Sequence, residues 1–146
     1  MLNDISVFAG LSDRQLYTLF QELEEVSYGD GETIFAQGSR PSHIYIILTG
    51  QVKLIVSDKD TSLELIEFQP GACFGETSVI GIIPHEASAV AVGQTELLVL
   101  SRQVLMSLYK IDIELFSLLV LNIAREACRR LSQTDQILLH YVLDQQ

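Results

Sequence analysis

All nine glycines and all three prolines of this chain lie between Gly10 and Gly93, and none occurs from Gln94 to the C-terminus. Glycine and proline are the residues that punctuate a backbone, so the first two thirds should turn often and the last third should run unbroken. Between Glu25 and Leu100 the turn signals Gly-Asp-Gly, Gln-Gly-Ser-Arg-Pro, Thr-Gly-Gln, Ser-Asp-Lys-Asp-Thr and Gln-Pro-Gly separate short segments of strand composition. These are Val26 to Tyr28, Thr33 to Phe35, Ile44 to Leu48, Val52 to Val56, Leu63 to Phe68, Ser88 to Val92 and Glu96 to Leu100. Seven or eight short strands at about ten-residue spacing predict a sandwich, jelly roll or barrel. No repeat period is visible.

Helices are expected on both flanks. Ser12-Asp13-Arg14-Gln15 has the form of a capping box, and Leu16, Leu19, Phe20 and Leu23 follow at helical spacing, which predicts a helix over Ser12 to Glu24. Beyond Leu100, Ser101 caps a helix over Gln103 to Tyr109, and Asp112 opens a final helix of up to about thirty residues. Within it Val120, Ala124, Ala127, Leu131, Thr134, Leu138 and Tyr141 are spaced as a heptad seam. A seam can pack on the chain's own sheet or on a copy of itself. At 1.5 Å per residue such a helix would overrun a small sandwich, which favours the copy and a twofold homodimer.

At 146 residues the chain is one domain, 1–146, with an N-terminal helical part (1–24), a β part (25–100) and C-terminal helices (101–146). The longest apolar runs are far shorter than the roughly 20 residues that span a bilayer, so no membrane segment is expected. The opening MLNDISVFAGLSD is not basic and does not read as a secretory signal. Cys73 and Cys128 lack CxxC spacing and read as free thiols, which together suggest a cytoplasmic protein. The net charge of −10 opposes polyanionic partners, so autonomous nucleic-acid binding is not expected.

The segment FGETSVIGIIPHEASA, Phe74 to Ala89, carries the chemistry. Gly75 lets a ligand approach the backbone, the first amides of a following helix lack internal partners, and Thr77 and Ser78 add hydroxyls. Glu76 cannot hold a phosphate but accepts hydrogen bonds from sugar hydroxyls. The alternative is a plain tight turn with Glu76 as a helix cap. A metal or catalytic site is not expected, because His43, His85 and His140 are scattered singly and no serine has placed partners.

These motifs resemble the cyclic nucleotide-binding domains of catabolite-activator-like regulators, protein kinase regulatory subunits and gated ion channels. VFAGLSDRQL is similar to their N-terminal helix, YGDGETIFAQGSRPSHIYIILTGQVKLIV to their first strands, and EFQPGACFGE to the entry of their phosphate-binding cassette. The resemblance implies a mostly β fold with flanking helices, a double-stranded β-helix (jelly roll) with the cassette loop at 74–88, followed by a long C-terminal helix. It implies a non-enzymatic ligand sensor that requires no cofactor and whose ligand is a cyclic nucleotide (cAMP or cGMP) or another small anion. It places Gly75 at the phosphate and Glu76 at the ribose, and it puts His85 where the family carries the phosphate-pairing Arg. Glu86 follows, then Ala87 and Ser88 at the start of the next strand.

Arg offers a permanently charged fork, whereas His is mostly neutral at pH 7. Losing one charge-assisted pair costs roughly 1.5 to 3 kcal/mol. Glu86 worsens the potential for an anion, although it can also raise the His85 pKa. Arg129 and Arg130 on the final helix are the candidates for compensation, set against a plain solvated helix face. Two other functions compete: a degenerate fold kept as a dimerisation or protein-interaction scaffold, and the sensor half of a transcription regulator without its DNA-reading domain.

Overall fold

A computed structural model describes residues 5–40 and 43–144. Pro41 of the expected Gln-Gly-Ser-Arg-Pro turn and the first four residues of the chain lie outside the described residues. A 3-10 turn at Ser6–Phe8 leads to α1 (Asp13–Phe20), where the capping box forms as the sequence predicts. The Ser12 Oγ accepts from the Gln15 amide at 3.2 Å and the Gln15 Oε1 accepts from the Ser12 amide at 2.9 Å. The helix stops at Phe20, four residues short of the expected end. Glu24 to Tyr28 are drawn instead into strand pairing with Thr95 to Val99, and tertiary pairing overrides a helical period.

Six strands follow: β1 (Glu24–Tyr28), β2 (Thr33–Phe35), β3 (His43–Asp58), β4 (Thr61–Phe68), β5 (Cys73–Phe74) and, after α2 (Glu76–Gly81), β6 (Ser88–Ser101). All pairings are antiparallel, in the order β1-β6-β3-β4, with β2 also on β6 and β5 on β3. The two long strands β3 and β6 each merge two of the expected short segments, because the chain bends within the sheet rather than leaving it. The bend in β3 falls at Gly50, where the β3–β6 register shifts on both sides of Thr49. Gly50 has φ 84°, and a Cβ there would sit 2.5 Å from the Gln94 carbonyl oxygen, so only glycine fits.

Alternation along the long strands divides the core. Ile44, Ile46, Leu98 and Leu100 join Val7, Phe8, Leu19 and the helices in one cluster, whereas Tyr45, Ile47, Leu97 and Val99 pack inside the roll with Val52, Phe68 and Phe74. This two-sided burial explains the near-continuous apolar runs of β3 and β6. The mostly β fold with flanking helices and a long C-terminal helix is therefore the architecture observed.

Ser101 caps α3 (Arg102–Ile111) through its Oγ, 3.0 Å from the Val104 amide, and the Asp112 carboxylate accepts from the Leu115 amide at 3.1 Å to open α4 (Ile113–Asp144). Leu115, Leu119, Asn122 and Ile123 hold the first half of α4 on the core. The buried Asn122 amide donates to the Val7 and Ala9 carbonyls at 2.9 and 2.8 Å, tying α4 to the N-terminal turn. From Leu131 to Asp144 every side chain is exposed, including Leu131, Leu138 and Tyr141 of the heptad seam. Among the described residues no helix is long and apolar enough to cross a membrane.

Candidate functional site

The cassette is built where β5 ends. Gly75 takes φ 86°, and a Cβ on it would lie 2.8 Å from the His43 carbonyl oxygen, so the backbone passes β3 at a distance closed to other residues. The chain then enters α2, a helix of only six residues. It returns through Ile82, itself at φ 55°, to Pro84 and His85.

His85 faces inward, only 5% exposed. Its ring lies on that of Phe35, centroids 3.7 Å apart and nearly parallel. Its amide donates to the Ser39 carbonyl at 3.1 Å, and its own carbonyl accepts from the Gly38 amide at 2.7 Å. Burial lowers the His85 pKa below its ordinary value, so the ring is neutral at pH 7. The expectation that Glu86 would raise that pKa is corrected: Glu86 is exposed and desolvation decides the direction.

Gly75, Thr77, His85, Glu86 and Ala87 do converge, and together with Phe35, Leu54 and Leu65 they line a cavity of about 140 Å³. Ser88 plays a different part: its Oγ accepts from the Gln37 amide at 2.9 Å and holds the 36–39 loop against the cassette. Ser78 lies in α2, but its side chain is outside the description.

Glu76 points elsewhere. It is 3% exposed and turned towards α4, where Arg130 donates to its Oε1. The same guanidinium donates to the Cys73 carbonyl and to Glu126 Oε1, the latter at 3.3 Å, and sits 4.5 Å above the Phe68 ring. Burial raises the Glu76 pKa, and the adjacent Arg130 charge opposes that rise. The second oxygen, Oε2, is buried and accepts no hydrogen bond among the described residues. Arg129, by contrast, is exposed and pairs with Glu126 Oε2 on its own helix at 3.2 Å. Of the two candidate arginines, only Arg130 reaches the cassette, and it grips the glutamate rather than the cavity.

A second, larger hollow of about 460 Å³ separates α2 from α4. Ile80, Gly81, Val120, Ile123 and Ala124 make it apolar, with Glu76 and Thr77 at its edge. The sequence reading missed Phe35, Leu54 and Leu65 as cavity walls, since they lie on distant strands. It also missed Glu126, although the i,i+4 spacing from Glu126 to Arg130 was a readable signal. No group of His, Cys, Asp and Glu among the described residues could hold a metal ion, and Cys73 and Cys128 are free.

A jelly roll with a glycine-led cassette, backed by a long helix that reaches into it, defines a small-molecule-binding regulatory domain. The family model for the cyclic nucleotide-binding domain matches residues 25–112. The chain is 32% identical over 132 residues to the cyclic AMP receptor protein of Thermus thermophilus, covering 88% of this chain and 58% of that protein. It is 30% identical over 106 residues to a regulatory subunit of cAMP-dependent protein kinase from Dictyostelium discoideum, covering 70% of this chain and 32% of that one. Among solved structures, the Thermus thermophilus catabolite activator protein matches with a TM-score of 0.79 at 30% identity, over 91% of this chain and 61% of that one. A cyclic nucleotide-binding domain from Methylobacillus flagellatus matches with a TM-score of 0.85 at 25% identity, over 94% and 78%. This chain belongs to the cyclic nucleotide-binding domain family. It spans less than two thirds of the length of both curated relatives.

Proposed function

We propose that the chain is a non-enzymatic ligand-sensing module, in which a small ring ligand of the cyclic nucleotide kind enters the cassette and α4 reports its presence. One observation carries this reading: Arg130 of α4 holds Glu76, the residue beside the cassette glycine. A ligand hydroxyl that competes for Glu76 weakens the hold on Arg130. The position of α4 then depends on occupancy, which is the differential interaction that a population shift requires. Ordinary cyclic nucleotides should bind weakly, because His85 stands where a charge clamp would be. The exposed apolar residues of α4 beyond Leu131 support a homodimer through that helix. The free thiols suit a reducing compartment such as the cytoplasm.

Thermal unfolding with cAMP, cGMP and their parent nucleosides at millimolar concentration, across pH 6 to 8, tests the reading. A ligand present at ten times its Kd adds about 1.4 kcal/mol of stability. No shift with any of the four would overturn the sensor in favour of the second reading. That second reading is a dimerisation or protein-interaction scaffold, supported by the His85 ring lying on Phe35 within the cassette. Either module can serve a longer regulator, including one that carries a DNA-reading domain.

A further inference from the structure

The charge and shape of the cassette identify the class of ligand, given the reading above that it is a ligand site. Among the described residues, those lining the small cavity include one carboxylate, Glu86, and no Arg or Lys. His85 is buried and neutral at pH 7. Arg40, on the loop beside it, is exposed and does not line the cavity. Arg130 is committed to Glu76, Glu126 and the Cys73 carbonyl. With six residues, α2 has little dipole to offer, and Glu76 occupies its first turn. A phosphate placed here would leave water, meet the Glu86 charge and gain no cation.

Shape points the same way. The small cavity, about 140 Å³, has room for a single ring. The hollow between α2 and α4, about 460 Å³, is apolar and of a size for a flat heterocycle. Thr77 lines both, and Glu76, whose Oε2 is buried without a donor among the described residues, is among the residues that line the second. A ring-sized space that offers Thr77, His85 and Glu86 as polar groups, sharing Thr77 with an apolar slot, fits a sugar joined to a base. We infer that the cassette selects an uncharged nucleoside over the corresponding cyclic nucleotide.

Isothermal titration of the full chain at pH 7.5 with adenosine, guanosine, cAMP, cGMP and ribose tests this. The expected result is a nucleoside that binds at least about ten-fold more tightly than its cyclic phosphate and more tightly than ribose, since a missing charge clamp is worth one to two powers of ten. His85→Arg should move the ratio about 10- to 100-fold towards the cyclic nucleotide. Glu86→Gln should move it the same way by a few-fold, and its exposed position keeps the test available if the buried substitution does not fold. A cyclic nucleotide that outcompetes its nucleoside in the unaltered protein would overturn the selectivity and leave the sensor reading standing. A nucleoside preference that neither substitution moves would overturn the charge argument. Silence of the unaltered protein towards all five compounds would overturn both.

Discussion

Replacing Arg130 with methionine should destabilise the protein in a way that depends on pH, and the structure sets the size. Glu76 is 3% exposed, and Arg130 is its ion-pair partner. Breaking a buried pair from one side costs about 3 to 5 kcal/mol, because the other charge is left without compensation. The carboxylate has an escape, since it can take up a proton. From an ordinary value of 4.5, protonation at pH 7 costs about 1.36 kcal/mol for each of 2.5 pH units, or roughly 3.4 kcal/mol. That figure caps the penalty from Glu76 at pH 7, and at pH 5 the cap falls to about 0.7 kcal/mol. In the variant the folded pKa lies further above the unfolded value, so the folded state binds more protons, and stability falls as pH rises from about 4.5 upwards. The lost Phe68 and Cys73 contacts add a constant that pH does not move; Glu126 also loses Arg130, so the share of Glu76 is read against the Glu76→Gln background. Urea unfolding at fixed protein concentration, at pH 5 and pH 7, measures it. Glu76→Gln with Arg130→Met should remove the Glu76 share of the slope and leave a flatter dependence. A penalty below about 1 kcal/mol at pH 7 that does not change at pH 5 would refute the reasoning.

His85 gives the opposite pH sign. Its folded pKa is lowered by burial, so the unfolded state binds more protons as pH falls below about 6.5, and stability should drop by up to about 1.4 kcal/mol per pH unit until the folded pKa is reached. His85→Phe should abolish this contribution in the same unfolding assay. Gly50→Ala should cost about 3 kcal/mol or more, because a Cβ would lie 2.5 Å from the Gln94 oxygen at φ 84°, and a thermal melt should show a fall of roughly 10 °C. Leu138→Asp on the exposed half of α4 should weaken self-association by about thirty-fold in sedimentation equilibrium if the helix is the dimer interface. An unaltered chain that stays monomeric at tens of micromolar would remove the homodimer.

What could be read from the sequence was local. Ser12 and Gln15 lie three residues apart and their capping box needs nothing else, while Ser101 and Asp112 announce their helices for the same reason. Gly50 and Gly93 read as breaks between strands, yet the positive φ they share is also what a bulge needs inside one strand. Two long bent strands therefore looked like four short ones. The two-residue β5 offered no period at all. In the cassette, Gly75 and Thr77 stand on the cavity, but the partner of Glu76 lies 54 residues away on another element. A spacing rule has no reach over that distance, and only packing of α4 against β5 and α2 brings the two together.

The separation between His85 and Arg130 has a mechanistic consequence. In the proposed sensor, the residue that sets which ligand charge is tolerated, His85, sits on the return from α2 to β6, stacked on β2 and facing the small cavity. The residue that ties the cassette to the output helix sits on α4 and faces Glu76. His85 lines the small cavity, whereas Arg130 holds Glu76, Glu126 and the Cys73 carbonyl, and the rings of Phe35, Phe74 and Phe68 run between them. An arginine-to-histidine change in the clamp can then redirect ligand preference while the Glu76–Arg130 link, and any response of α4 that depends on it, stays in place. The same arrangement explains why an intact helix and a missing clamp occur together here. On that reading, loss of the clamp removes affinity for one anion, whereas loss of Arg130 would strand a buried carboxylate and destabilise the fold.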